Sequence, residues 1–159
     1  MQGEVQKYQW VDQGSSYLLA ESLAAQLLGQ LEDFTQIQES RMRIFEKYRT
    51  SLIEWSRTSG VELQFVRELD SHTAHMFYVV MESQEKRNSL IQYLEAFKIK
   101  SMFHYQSLAT SIKGNSYNRD SRTFPISGAM SNQLLRLPMY YSLKDKEQDE
   151  VIQAVISAK

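Results

Sequence analysis

With 159 residues, 42% of them hydrophobic, the chain is the size of one domain and carries enough apolar material to bury a core. Eighteen basic against nineteen acidic side chains leave a net charge of -1, so neither a nucleic-acid footprint nor a polybasic membrane anchor is implied. The absence of cysteine excludes a disulfide framework, a thiolate nucleophile and a Cys-type zinc site, and it fits a reducing cytoplasm. Met1-Gln2-Gly3-Glu4 is not a leader of the charged-then-apolar type, and no apolar run approaches the roughly 18 residues of a membrane helix, so a soluble cytoplasmic protein is expected.

Residues 1–13 are polar with two aromatics, Tyr8 and Trp10, and read as an extended lead-in. Gly14-Ser15-Ser16 then makes a flexible polar bend before an apolar helix. Freed backbone N–H groups there, with the positive end of a helix dipole, form a candidate anion site; an ordinary turn with a serine N-cap is the competing reading. Leu19, Leu23, Leu27 and Leu31 recur every fourth position, and Ala24 and Ala25 permit close packing, so this helix expects a partner. After Glu32-Asp33, the apolar positions Phe34, Ile37, Ile44, Phe45, Tyr48, Leu52 and Trp55 keep the spacing of a long amphipathic helix, stopped by Ser59-Gly60. Arg41, Arg43, Lys47 and Arg49 form its wet face.

Val61 to Val66 reads as a short strand, and Ala74 to Met81 as a central strand apolar on both faces, with His75 at its start in a structural role. Ser83 caps a helix through Phe97, with Leu90, Ile91, Leu94 and Phe97 on one face. A further strand, Lys100 to Tyr105, would complete a crossover unit that lays two strands parallel. Gln106 to Ser127, rich in serine, is expected to be irregular, with a short helix from Ser131 and a strand-like piece Leu135 to Tyr141. Ser142 with Asp145 resembles a capping-box start for a final helix bearing Val151, Ile152, Val155 and Ile156. The order predicts an α+β domain with a small sheet backed by helices on one side.

Four stretches in register also carry a resemblance: Gly14 to Ala25 with Gln30-Leu31, Ala74-His75-Met76-Phe77-Tyr78, Phe103-His104-Tyr105, and Leu134-Leu135-Arg136-Leu137-Pro138. Together they are similar to the C-terminal part of the DegT/DnrJ/EryC1/StrS sugar aminotransferases. The Gly-Ser-Ser-Tyr-Leu form, with Leu18 in place of a commoner arginine, resembles the branch acting on TDP-4-oxo-6-deoxy-D-glucose. The resemblance implies the C-terminal small domain of a fold-type I enzyme, with long helices packed on a small mixed sheet. Residues 14–59 would be a long helical segment and 60–159 a small α+β subdomain.

It also implies pyridoxal phosphate in the intact enzyme, a homodimer, a large cofactor-binding domain as partner, and glutamate and a TDP-sugar as substrates. In that family the lysine, aspartate and ring-stacking aromatic that hold the cofactor lie ahead of the Gly14 segment, so no catalytic residue is assigned here. No cofactor is expected on this chain alone. Lys98, Lys100 and Lys113 have nothing in their surroundings that marks them as the cofactor lysine.

By the same resemblance, Ser16 corresponds to an asparagine that reaches the cofactor phosphate of the neighbouring subunit. His104 and Tyr105 correspond to a His-Tyr pair near the sugar-nucleotide pocket, where imidazole and phenol can bond sugar or phosphate oxygens. Core packing with a satisfied polar tip is the alternative for that pair. Ser107 and Ala109 stand where similar members carry Pro and His, which leaves the accepted sugar open. From the residues alone, a free-standing α+β interaction or small-ligand module is the rival reading. A metal site from His72, His75 and His104 ranks third, because no carboxylate is placed beside them.

Overall fold

A computed structural model describes residues 18–68, 72–117 and 123–158. Two compact units divide between Phe34 and Thr35.

In the first unit, α1 (Glu21–Glu32) forms from 12 residues without proline or β-branched side chains. Its N-cap is Ala20, which offers no side-chain acceptor, so the expected serine cap is not what starts this helix; Glu21 in the first turn complements the dipole instead. The Gly14–Ser16 bend, and with it Ser16, lies outside the described residues. None of the helix is buried: Leu19, Leu23, Leu27 and Leu31 all stand exposed, from 47% at Leu27 to 58% at Leu31.

The second unit is organised on α2 (Phe34–Ser59), whose Ile44, Phe45, Tyr48 and Leu52 are fully buried at helical spacing. They pack on a three-stranded sheet of order β1-β2-β3, built from β1 (Glu62–Leu63), β2 (Phe77–Val80) and β3 (Leu134–Leu137). Tyr48 stacks on Phe77 at 5.1 Å between ring centroids, and Phe45 meets the same ring edge-on at 5.3 Å. Phe77, Val79, Leu135 and Leu137 point into this core, which α3 (Gln84–Ala96) closes with Leu90 and Leu94, and α6 (Asp145–Ser157) with Val151, Ile152 and Val155. Each such aliphatic or aromatic side chain contributes about 1.5–3 kcal/mol when fully buried. Arg43 pairs with Asp145 at 2.5 Å and Lys47 with Asp149 at 2.7 Å, so part of the expected wet face ties α2 to α6.

Several sequence expectations are corrected. The sheet is wholly antiparallel among the described residues, not mixed. Residues 100–105 make no parallel crossover strand, because β3 occupies the edge of β2 and inserts Leu135 and Leu137 into the core; Met102 forms only one antiparallel bridge, to Arg136. The reversal before it comes from Lys98, which takes a left-handed φ of 61° after α3. Lys98 N–H donates to Glu95 O at 2.8 Å and Ile99 N–H to Leu94 O at 3.0 Å, the bonding of a Schellman cap.

Strand β1 stops early because the Gln64 side chain replaces a ladder carbonyl, its Oε1 accepting from Tyr78 N–H at 3.3 Å. His75 is exposed and precedes β2, which begins only at Phe77. The serine-rich stretch is not wholly irregular: it holds a 3-10 turn (Leu108–Thr110), α4 (Ile112–Tyr117) and the start of α5 (Pro125–Gln133). Serine hydroxyls satisfy its backbone locally, as where Ser111 Oγ accepts from Gly114 N–H at 3.0 Å, and Pro125 suits the first helical position. The strand-like piece ends at Leu137. Helix α6 starts from Lys144 rather than Ser142, and Glu147 Oε2 accepts from the Lys144 N–H at 3.0 Å.

Candidate substrate-binding site

Strand β3 fixes the site. Arg136 and Met102 exchange both backbone bonds, at 2.7 and 3.2 Å, which pins the 102–105 segment to the outer edge of β3. With Leu135 and Leu137 facing the core, Arg136 projects from the opposite face of the sheet. His104, two residues beyond Met102, meets it there: Arg136 Nη1 lies 3.3 Å from His104 Nδ1 and 3.4 Å from Nε2. The rings of His104 and Tyr105 meet edge-on at 4.3 Å, and Tyr105 is 73% exposed. The imidazole is half-buried and the phenol open.

Burial holds the His104 imidazole below its ordinary pKa, and the Arg136 charge pushes in the same direction. A neutral imidazole beside a guanidinium is consistent as chemistry. Arginine can only donate, so the imidazole is the accepting side of this contact, with Nη1 almost equidistant from its two nitrogens. In the sequence, Arg136 is marked by being a lone charge inside the apolar run Leu134 to Leu137.

Behind the pair, Phe103 lies over the buried Arg87, whose guanidinium carbon is 5.1 Å from the ring centroid. Ser107 is buried, its N–H donating to Ser131 Oγ at 3.0 Å and its hydroxyl 2.8 Å from that of Ser127. A proline at 107 would lose the N–H of that tie to α5, which gives the departure at this position a structural reason.

The three histidines do not gather. His72 packs its ring against Phe45 at 4.8 Å, His75 Nδ1 is 3.4 Å from Thr73 Oγ1, and His104 faces Arg136. Among the described residues no three His, Cys, Asp or Glu side chains are grouped to hold a metal ion.

Pyridoxal phosphate demands a desolvated lysine and a carboxylate aimed at the ring nitrogen. Lys98, Lys100, Lys113, Lys144 and Lys146 are exposed, Lys86 is paired with Glu82, and Lys47 with Asp149. The described residues therefore do not form that cofactor's site by themselves. No helix among them is long and apolar enough to cross a membrane.

Known structures share this architecture. DesV from S. venezuelae superposes with a TM-score of 0.81 at 24% identity, covering 97% of this chain and 40% of that one. A DegT DnrJ EryC1 StrS aminotransferase from Brucella abortus gives 0.77 at 25% identity over 96% of this chain and 39% of its own. The dTDP-3-amino-3,4,6-trideoxy-alpha-D-glucose transaminase of Micromonospora megalomicea subsp. nigra is 26% identical over 117 residues, 72% of this chain and 30% of that protein. The chain thus spans about a third of the length of that relative. The fold is that of a fold-type I aminotransferase fragment. Residues 1–156 match the model of the DegT/DnrJ/EryC1/StrS aminotransferase family, and the chain belongs to that family.

Proposed function

We propose that this chain is the C-terminal part of a pyridoxal-phosphate-dependent nucleotide-sugar transaminase, moving an amino group from glutamate to C4 of TDP-4-oxo-6-deoxy-D-glucose for cell-surface polysaccharide synthesis. The observation that carries the reading is the family match, which runs through all but the last three residues. In this reading the cofactor is held mainly by a large domain of the same enzyme. Homodimerisation brings Ser16 to the cofactor phosphate of the neighbouring subunit, and His104 with Tyr105 faces the nucleotide sugar. Soluble nucleotide-sugar substrates support a cytoplasmic reaction.

The exposed leucines of α1 ask for a protein neighbour, which the rest of the enzyme or its second subunit would supply. The name of the Micromonospora relative specifies a 3-amino sugar, so amination at C3 is the second reading. The test is amino transfer from glutamate to TDP-4-oxo- and TDP-3-oxo-6-deoxyhexoses by the product of the complete coding region. Product aminated at C4 supports the first reading, product aminated at C3 the second, and rejection of both sugars overturns the substrate class. The 159-residue chain, incubated alone with cofactor and borohydride, should show only non-saturating labelling spread over its exposed lysines and turn over neither sugar. A stoichiometric adduct on this chain would overturn the division of labour.

A further inference from the structure

We infer that Arg87, on α3, is a positioning residue for the His104–Tyr105 pair, holding both ends of the Phe103–Ser107 segment that carries it. What the pair faces rests on the function proposed above; the positioning rests on geometry. Residues 103–106 make no backbone–backbone hydrogen bond among the described residues, so the ends of the segment decide where the imidazole and the phenol point. Arg87 is only 5% exposed, and a buried guanidinium must be compensated. Its Nε has no hydrogen-bond partner, which leaves two contacts to do so. At the Phe103 end, the guanidinium carbon lies 5.1 Å from the ring centroid. At the Ser107 end the tie runs through α5. Arg87 Nη1 donates at 3.5 Å to Ser131 O, in the last turn of that helix, where carbonyls lack intrahelical donors and the dipole is negative. The hydroxyl of the same Ser131 accepts from Ser107 N–H at 3.0 Å, and Ser127 Oγ, also on α5, is 2.8 Å from Ser107 Oγ.

Both contacts call for a guanidinium. Its flat face covers the ring while its in-plane N–H reaches the carbonyl; lysine keeps the N–H without the flat face, and methionine covers the ring without the N–H. Exchanging a buried charge for an apolar side chain of similar length is often neutral or stabilising, so R87M separates position from stability. With the ties gone, the His104 ring moves off Arg136 and out of its burial, and both effects that hold the imidazole below its ordinary pKa are relieved.

The test compares R87M, R87K, F103L and S131A in the 159-residue chain, with R57M, at an exposed arginine paired with Glu54, as control. In R87M the urea midpoint should hold, the nuclear Overhauser contact between the His104 ring and the Arg136 side chain should be lost, and the His104 pKa should rise towards the model-peptide value of about 6.5. R87K should fall between R87M and the wild type. F103L and S131A alter no charge, so a smaller rise of the His104 pKa in each reports position and not the lost cation. R57M should leave His104 where it is. In the product of the complete coding region, R87M should raise KM for the nucleotide sugar by about tenfold and leave amino uptake from glutamate unchanged. If R87M fails to fold, R87K, F103L and S131A decide.

A lowered urea midpoint in R87M with the His104–Arg136 contact intact marks a packing role alone and overturns the inference. So does a His104 shift seen in R87M but in neither F103L nor S131A, or one that R57M reproduces. Displacement of His104 in R87M, F103L and S131A with an unchanged sugar KM supports the positioning and overturns the reading that the pair faces the sugar.

Discussion

Tyr48 is the residue through which the main helix is locked to the end of the sheet, and its replacement by phenylalanine isolates one interaction. The side chain is fully buried, its ring stacked on Phe77 at an interplanar angle of 27°, and its hydroxyl donates to Pro138 O at 2.9 Å. Tyr48→Phe keeps the ring and its volume but leaves the Pro138 carbonyl without that donor. A net hydrogen bond contributes about 1 kcal/mol, and an orphaned buried acceptor adds to the loss, so we expect about 1.5 kcal/mol of destabilisation. For a chain of this size, that is a fall in Tm of about 3–6 °C. Urea denaturation should show a lower midpoint with an unchanged slope, since the surface exposed on unfolding is the same.

The same residue has a spectroscopic signature. Burial, followed by the nearby Tyr140 phenol, pushes the Tyr48 hydroxyl far above the ordinary tyrosine range. The folded protein holds this proton more tightly than the unfolded chain, so the contribution is intact below the ordinary tyrosine pKa and drains away as pH rises beyond it. An alkaline absorbance titration should therefore show a phenol that ionises only on unfolding, missing from Tyr48→Phe. A variant as stable as the wild type, with the late-ionising phenol still present, would refute the reasoning.

Lys98→Gly should raise stability by about 0.5–1 kcal/mol, because glycine takes the left-handed cap at φ 61° without a Cβ penalty; a lower Tm would count against it. Gly60→Ala should do the opposite, losing at least about 1 kcal/mol, since φ is 67° and the new Cβ meets the Glu82 carboxylate; unchanged thermal melting would contradict this. Burial holds His72 and His104 below their ordinary pKa values, reinforced by His75 and Arg136 respectively, so their stabilising contribution is whole above the unfolded value of about 6.5 and is lost as pH falls. Imidazole NMR should place both below a model peptide, and values above it would defeat the sign. Replacing Leu23 and Leu27 by serine should reduce self-association in sedimentation and leave the urea midpoint of the second unit unchanged; unaltered association would show that the α1 face is not responsible.

Helical periodicity made α1, α2 and α3 legible from residue spacing alone, because 3.6-residue repetition is a local property that burial of Ile44, Phe45, Tyr48 and Leu52 then exploits. The Ser83 cap was equally legible, its hydroxyl accepting from Lys86 N–H at 3.2 Å. Strand partnership was not. Apolar alternation says which face is buried but not which strand lies alongside, so residues 100–105 looked like the neighbour of β2 when β3, from far along the chain, holds that edge. The serine-rich stretch reads as a loop because the residues whose hydroxyl-to-backbone bonds support α4 have the composition of one.

The sequence by itself determined the family and the helical framework, since these are carried by residue identity and short-range period. Only the tertiary structure decided that the sheet is antiparallel, and that an arginine inside an apolar strand comes to rest against that histidine. Arg136 and His104 are separated along the chain by two helices and a turn, and their contact exists because β3 pairs with β2 on one side and with Met102 on the other. Such long-range pairings are fixed by burial of the opposite face, through Leu135 and Leu137, and no local pattern contains them.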